Sequence, residues 1–450
     1  SIKRREDPRL ITGQGRFTDN VKLAGLAYAA FVRSPHAHAR IVAINTADAK
    51  ATPGVVAVFT GRDLADSRVG TMPCAWLLPD LKIPAFQAVA VDKVYFAGHA
   101  VALVVADSPY AARDGAEAVK VEYEVLPPVI DTEGALRAGT PQIHENAPEN
   151  VAFRWSIGDK GKTAEAIKGA HTVVKQRFIN QRLIANAMEP RSCVAQYQAP
   201  TEELTLWLTS QLPHVIRLLL GAFVLGIPEH KLRVISDDVG GGFGSKMHLY
   251  PEEVAVSWAT KRLGRPVKWT AERRESYLTD AQGRDHVTEA EMATDAAGRI
   301  TALRVKTIAN MGAFLSTFAP LIPTYLYGTV LSGEYEIPTI WCEVTGVFTN
   351  TTPVDAYRGA GRPEATYVME RMADLSARAR GTDPAEFRRK NFIPPEKFPY
   401  QTPVAFMYDS GNYAGTLDRA LQMLDYPRAR EEQAKARAEG RLVGIGFSTY

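Results

Sequence analysis

The chain has 450 residues, 46% hydrophobic and 23% charged, which is the composition of a soluble globular protein with the length for two or more domains, each with its own core. Its 53 basic and 50 acidic side chains leave a formal charge of +3, so no excess of either sign marks it as a binder of nucleic acid or of a membrane surface. Three cysteines, Cys74, Cys193 and Cys342, are too far apart for a CxxC-type metal or iron–sulfur motif and odd in number for a disulfide framework; they read as reduced thiols of a cytoplasmic protein.

The first residues, SIKRREDPRLITGQ, carry basic side chains with no apolar stretch behind them, which predicts neither a secretory signal nor a membrane anchor. Over residues 22–125, "LAYAAFVR", "GVVAVF" and "AVALVVA" read as strands, "SPYAARDGAEAV" as a helix and "KVEYEVL" as a strand again, a compact α+β unit. Residues 127–142 are rich in Pro, Gly and Thr and fit a linker. The expected division is therefore a unit over 1–126, a linker over 127–149 and a second region over 150–450 with mixed sheets and helices.

In the second region "ELTLWLTS" alternates as a strand, and Pro213 opens the helical "HVIRLLLGAFVLG", which is too short to span a bilayer. "KLRVISDDV" is a strand that runs straight into "GGGFGSK". The next helix has Pro251 in its first turn, Glu252 and Glu253 to complement the dipole, and Gly264 as a stop. "HVTEAEMATDAAGRITALRVKTIANMG" predicts a long hairpin turning at Asp295–Gly298, and "WCEVTGVFTN" another strand. A second glycine loop, "AYRGAGRPE", precedes the strong helix "ATYVMERMADLSARAR", and Asp383–Pro384 caps a further helix. "RLVGIGFSTY" reads as a strand beginning a new unit.

Consecutive glycines let backbone N–H groups converge on an anion or on the oxygen ligands of a metal; a tight turn with close strand-to-helix packing is the other reading. Two such loops at strand-to-helix junctions favour the first. A P-loop needs Gly before its Lys, whereas Ser245 precedes Lys246, and GxGxxG counted from Gly240 would need glycine at 245. Neither HExxH nor GxSxG is present, and no regular His or carboxylate cluster predicts a protein-ligated metal.

"TSQLPH", "GGGFGSK" and "AYRGAGRPE", in that order, closely resemble the molybdenum-binding large subunit of the xanthine oxidase family of molybdenum hydroxylases, in particular bacterial subunits related to carbon-monoxide dehydrogenase and to aldehyde and N-heterocycle hydroxylases. "GRFTDN", "RSPHAHARI" and "GHAVALVVADS" extend the resemblance to the N-terminal unit, so that the implied fold is an α/β hammerhead-like domain followed by the first part of a molybdopterin-binding domain.

The resemblance implies that Gln211 contacts an oxygen ligand of molybdenum through its amide. It implies that Phe243, flanked by Gly241, Gly242 and Gly244, turns its backbone N–H to the ligands and its ring to the substrate channel, and that Arg358 also presents backbone to the cofactor. It implies molybdenum held by a pterin dithiolene, of the cytosine dinucleotide form, and not by side chains. Partner subunits would carry 2Fe–2S clusters and FAD in a dimer of the heteromer.

Carbon-monoxide oxidisers of the family place a cysteine in the second loop, whereas Gly359 and Ala360 follow Arg358 here. The glutamate and arginine of purine hydroxylases fall at Met247 and around Tyr325–Tyr327. The implied pocket, lined by Phe243, Met247, Tyr325, Tyr327, Tyr357 and Ala360, suits an aromatic N-heterocycle or an aldehyde.

The family's base, a glutamate, has no matching motif here; Glu189 of "MEPR" and Glu364 of "GRPE" are carboxylates without that surrounding. The expectation is therefore a component that works with a complementary polypeptide or a C-terminal half. A noncatalytic binding or assembly relative is the alternative.

Overall fold

The computed structural model describes residues 2–450, and its N-terminal region forms six strands: β1 (Ala27–Arg33), β2 (Ala39–Asn45), β3 (Val55–Thr60), β4 (Lys93–Val94), β5 (Ala100–Ala106) and β6 (Lys120–Val125). All seven residues of β5 are buried. Ala106 packs on Ala111 and Ala112 of helix Pro109–Ala118, while Leu103 and Val105 join a core with Phe86 and Trp269. Cover on both faces is why this strand reads as an unbroken apolar run.

The second region adds β7 (Val151–Gly158), β8 (Thr172–Asn180), β9 (Ser192–Gln198), β10 (Glu203–Leu208), β11 (Leu232–Ile235), β12 (Val267–Thr270), β13 (His286–Thr294), β14 (Ile300–Asn310) and β15 (Ile340–Val347). The fold is α+β, as expected. Seven strands form one sheet in the order β11-β10-β9-β12-β1-β5-β3, and β1 pairs in parallel with β12, Ala27 opposite Val267. A single sheet thus crosses the expected division at residue 126. Five strands form the other large sheet, in the order β7-β15-β14-β13-β8. Its central hairpin turns where predicted, with the Arg299 amide bonded to Asp295 Oδ1 and Gly298 at φ +85°. Helix Arg362–Ala379 packs its Val368, Met372 and Ala373 into the core on this sheet.

Helix Pro251–Leu263 ends on Gly264 at φ +66°, and Asp383 accepts the Ala385 and Glu386 amides to cap Pro384–Asn391. Glu252 and Glu253 do more than complement a dipole, because both are buried. Glu252 is bound by Arg191 at 2.7 Å and Arg33 at 2.7 Å, and Arg191 also binds Asp280 at 2.6 Å. This ionic cluster lies where β1, the start of β9 and the helix meet. The Arg191 guanidinium stacks 3.7 Å above the Tyr250 ring, whose hydroxyl donates to Ser245 O and accepts from the Ala281 amide. The glycine loop therefore rests on a buried ionic base.

The segment 441–450 forms no strand, which corrects the sequence expectation. A strand needs a neighbour for its N–H and C=O groups. Here the Thr449 amide goes instead to Glu370 Oε2, and Arg388 donates to Phe447 O.

Candidate active site

β10 and β11 are parallel neighbours, Leu204 opposite Leu232, so the segments that follow them leave the sheet at the same end. Gln211 follows β10 and the loop Asp237–Lys246 follows β11. Gly241 and Gly244 lie at φ +93° and +100°, and Phe243, a non-glycine residue, at φ +52°. The residue is 43% exposed. A bulky residue in the left-handed region is uncommon and marks a loop held by its surroundings.

Those surroundings leave no space for side chains. A Cβ at Gly242 would overlap the Gln211 amide, and one at Gly244 would overlap the Ala356 carbonyl. Gln211 Oε1 accepts the Gly244 amide at 2.9 Å and the Lys246 amide at 3.3 Å, while the Gln211 amide donates to Lys246 O at 2.8 Å. Two donors on the oxygen fix the orientation of the side chain and turn Nε2 outward. Among the described residues the N–H groups of Gly241, Gly242 and Phe243 have no acceptor.

The base of the same loop meets Glu189. Its Oε2 accepts the Gly240 amide at 2.7 Å and the Lys246 ammonium at 3.1 Å, and Lys246 also donates to Glu189 O at 2.8 Å. The Lys246 side chain is 1% exposed, and burial lowers its pKa against the pull of Glu189.

The second loop is positioned by Arg284, itself at φ +66°. Its guanidinium donates to Tyr357 O at 3.1 Å, Arg358 O at 2.7 Å and Glu364 Oε1 at 3.1 Å, and stacks 4.7 Å from the Tyr357 ring. Burial raises the Glu364 pKa, with Arg284 opposing. Glu364 is thus a structural partner of the loop. The Arg358 amide donates to Phe243 O at 2.9 Å and the residue is exposed, so this N–H joins the two loops. The N–H groups of Gly359 and Gly361 have no acceptor among the described residues.

Of the expected pocket residues, Met247, Tyr357 and Ala360 are half-buried beside the two loops. Tyr325 is exposed and sits 6.3 Å from Trp76 and 6.1 Å from Phe406, ring to ring. Tyr327 departs from the expectation: it is fully buried, bonded to Thr307 and packed edge-on against His286, because its position on the short helix Tyr325–Gly328 turns it into the core. His248 is buried with Nδ1 3.3 Å from Asp355, and desolvation lowers its pKa; among the described residues neither ring nitrogen has a hydrogen-bond partner, so it is a packed residue. Sequence reasoning missed the roles of Lys246 and Arg284 in holding the two loops. Only "GGGFGSK" carried any signal for the first of these.

Donors left over here, among them the Phe243 N–H and Gln211 Nε2, beside glycines that a Cβ would press against Gln211 and Ala356, fit a bulky group bearing oxygen ligands. Among the described residues no three His, Cys, Asp or Glu side chains converge as metal ligands.

Residues 143–392 match the molybdopterin cofactor-binding domain, and residues 12–127 match the a/b hammerhead domain of aldehyde oxidase and xanthine dehydrogenase. The carbon monoxide dehydrogenase large chain of Hydrogenophaga pseudoflava is 40% identical over 99% of this chain and 57% of its own length. The nicotine 6-hydroxylase large subunit of Paenarthrobacter nicotinovorans is 34% identical over 100% of this chain and 54% of its own. The quinoline 2-oxidoreductase structure from Pseudomonas putida 86 superposes with a TM-score of 0.91 at 37% identity, covering 98% of this chain and 56% of that one. The chain spans little more than half the length of these relatives.

Proposed function

The chain belongs to the xanthine oxidase family of molybdenum-binding large subunits, and on that premise we propose that it is the part of a molybdenum hydroxylase that orients the cofactor. When bound, molybdenum–molybdopterin takes two electrons from an electron-poor carbon that receives oxygen derived from water. The observation that carries this reading is the unclaimed Phe243 N–H, next in the chain to the Gly242 that abuts Gln211, whose Nε2 faces outward. Both groups would donate to oxygen ligands of the bound cofactor, and donors fixed in advance need no reorganisation as charge develops there. The exposed Phe243 side chain stands beside the substrate channel.

The substrate is an aromatic N-heterocycle or an aldehyde. The loop Ala356–Gly361 carries no thiol, which weighs against carbon monoxide although that gas names one relative. The general base is a glutamate supplied by a complementary polypeptide or a C-terminal half, and electrons leave through iron–sulfur and FAD subunits in a dimer of the heteromer. The pterin is the cytosine dinucleotide form. The three free thiols fit a cytoplasmic location, and no helix among the described residues is long and apolar enough to cross a membrane.

Metal analysis of the intact complex tests the proposal: stoichiometric molybdenum, with pterin released on denaturation, is expected, and absence of both would overturn it. A noncatalytic assembly relative would instead purify without a partner bearing the glutamate. Co-purification with intact-mass measurement of each chain separates the two readings.

A further inference from the structure

One carboxylate oxygen joins the two ends of the glycine loop. Glu189 Oε2 receives the Gly240 amide at the loop's start and the Lys246 ammonium at its end, and the Glu189 amide returns a bond to Gly240 O at 3.0 Å. A Cβ at Gly240 would press on the Glu189 side chain at 2.5 Å, which is why glycine stands there. The other oxygen, Oε1, is buried and has no partner among the described residues, so within these the carboxylate is held by the loop. Among the described residues the Lys246 ammonium has no acceptor besides Glu189, while the Lys246 backbone brackets Gln211. The pair thus ties together the two ends of the loop that carries the Phe243 N–H, and the Lys246 backbone brackets Gln211, alongside the Arg358 amide that holds Phe243 O.

We propose that Glu189 is a positioning residue: by closing the loop Gly240–Lys246 around a buried ammonium it presets the Phe243 and Gln211 donors, without touching substrate or cofactor. This rests on the reading that the loop faces the cofactor, and it assigns to Glu189 a role distinct from that of a proton acceptor. Removing the carboxylate leaves a buried cation uncompensated, and either deprotonation of Lys246 or opening of the loop must follow.

Hydrogen exchange of the whole complex tests it at the amides of Gly244, Ser245, Lys246 and Met247, none of which touches the carboxylate. In Glu189→Ala these exchange about tenfold or more faster, while helix Pro251–Leu263 stays within about twofold of wild type. Turnover falls about tenfold or more with KM within about threefold, since the cofactor is misaimed and the substrate still binds. Glu189→Gln, which still accepts from Gly240, recovers part of both. Wild-type exchange at Gly244–Met247 in Glu189→Ala, or acceleration spread evenly through the helix, would overturn the proposal. Should that variant not fold, Lys246→Met decides: faster exchange at the same amides is required, and wild-type exchange sinks the idea. Molybdenum content, measured on the same samples, separates failure of this role from failure of the cofactor assignment, because exchange at the loop is read whether or not metal is present.

Discussion

The Gln211 side-chain oxygen accepts the Gly244 amide at 2.9 Å, and that bond decides which end of the amide faces outward. Replacing the outward nitrogen by a second oxygen puts negative charge against the cofactor's ligands while keeping the bond to the loop. Gln211→Glu should fold normally, as judged by its melting temperature, and lose turnover on the order of a hundredfold, the loss expected for one missing donor at a site of developing charge.

The glycines of the loop differ in what surrounds them. At Gly242 the added Cβ meets the flexible Gln211 side chain, whereas at Gly244 it meets the Ala356 backbone, and φ there is +100°. Gly244→Ala should cost about 1–3 kcal/mol of stability in denaturant unfolding, and Gly242→Ala about 1 kcal/mol or less. Both should lose activity. A reversed order of stability would show that the loop backbone yields more readily than the side chain.

Arg284 holds two carbonyls of the second loop and the buried Glu364 in one planar fork. Arg284→Met removes all three bonds and should destabilise the protein by about 3–5 kcal/mol, since it strands a buried carboxylate. Arg284→Lys, a point charge without the fork, should recover only part of this. Thermal or denaturant unfolding measures both.

Burial pushes the Glu253 pKa up to about 8 from its ordinary 4.5, so the carboxyl is protonated in the fold. Its contribution to stability is full below pH 4.5 and is lost as pH rises towards about 8, with a slope of up to about 1.4 kcal/mol per unit. Glu253→Gln keeps an oxygen for the Tyr250 amide, which now bonds Glu253 Oε2 at 3.1 Å, and cannot ionise. Its stability should exceed that of wild type by a margin that grows across this window, and a margin independent of pH would mean that Glu253 ionises freely in the fold.

Strands, helices and their ends were legible in the sequence because their signals are local: Asp383 reaches amides two and three residues on, Gly264 stops the helix that precedes it, and the hairpin turn lies within Asp295–Gly298. The glycine loop was legible for the same reason, as a run of residues that only close approach of backbone explains. By itself the sequence determined these elements, their order and the motifs on which the family resemblance rests. Tertiary structure alone decided that β1 completes a sheet with β12, that Glu189 closes a loop 51 positions away, that Arg284 grips carbonyls 73 and 74 positions on, and that Tyr327 is core while Tyr325 is surface. Such pairings depend on the path of the chain, since a buried charge finds its partner wherever folding brings an opposite charge or a bare amide within 3 Å, and nothing in the neighbouring residues records that distance.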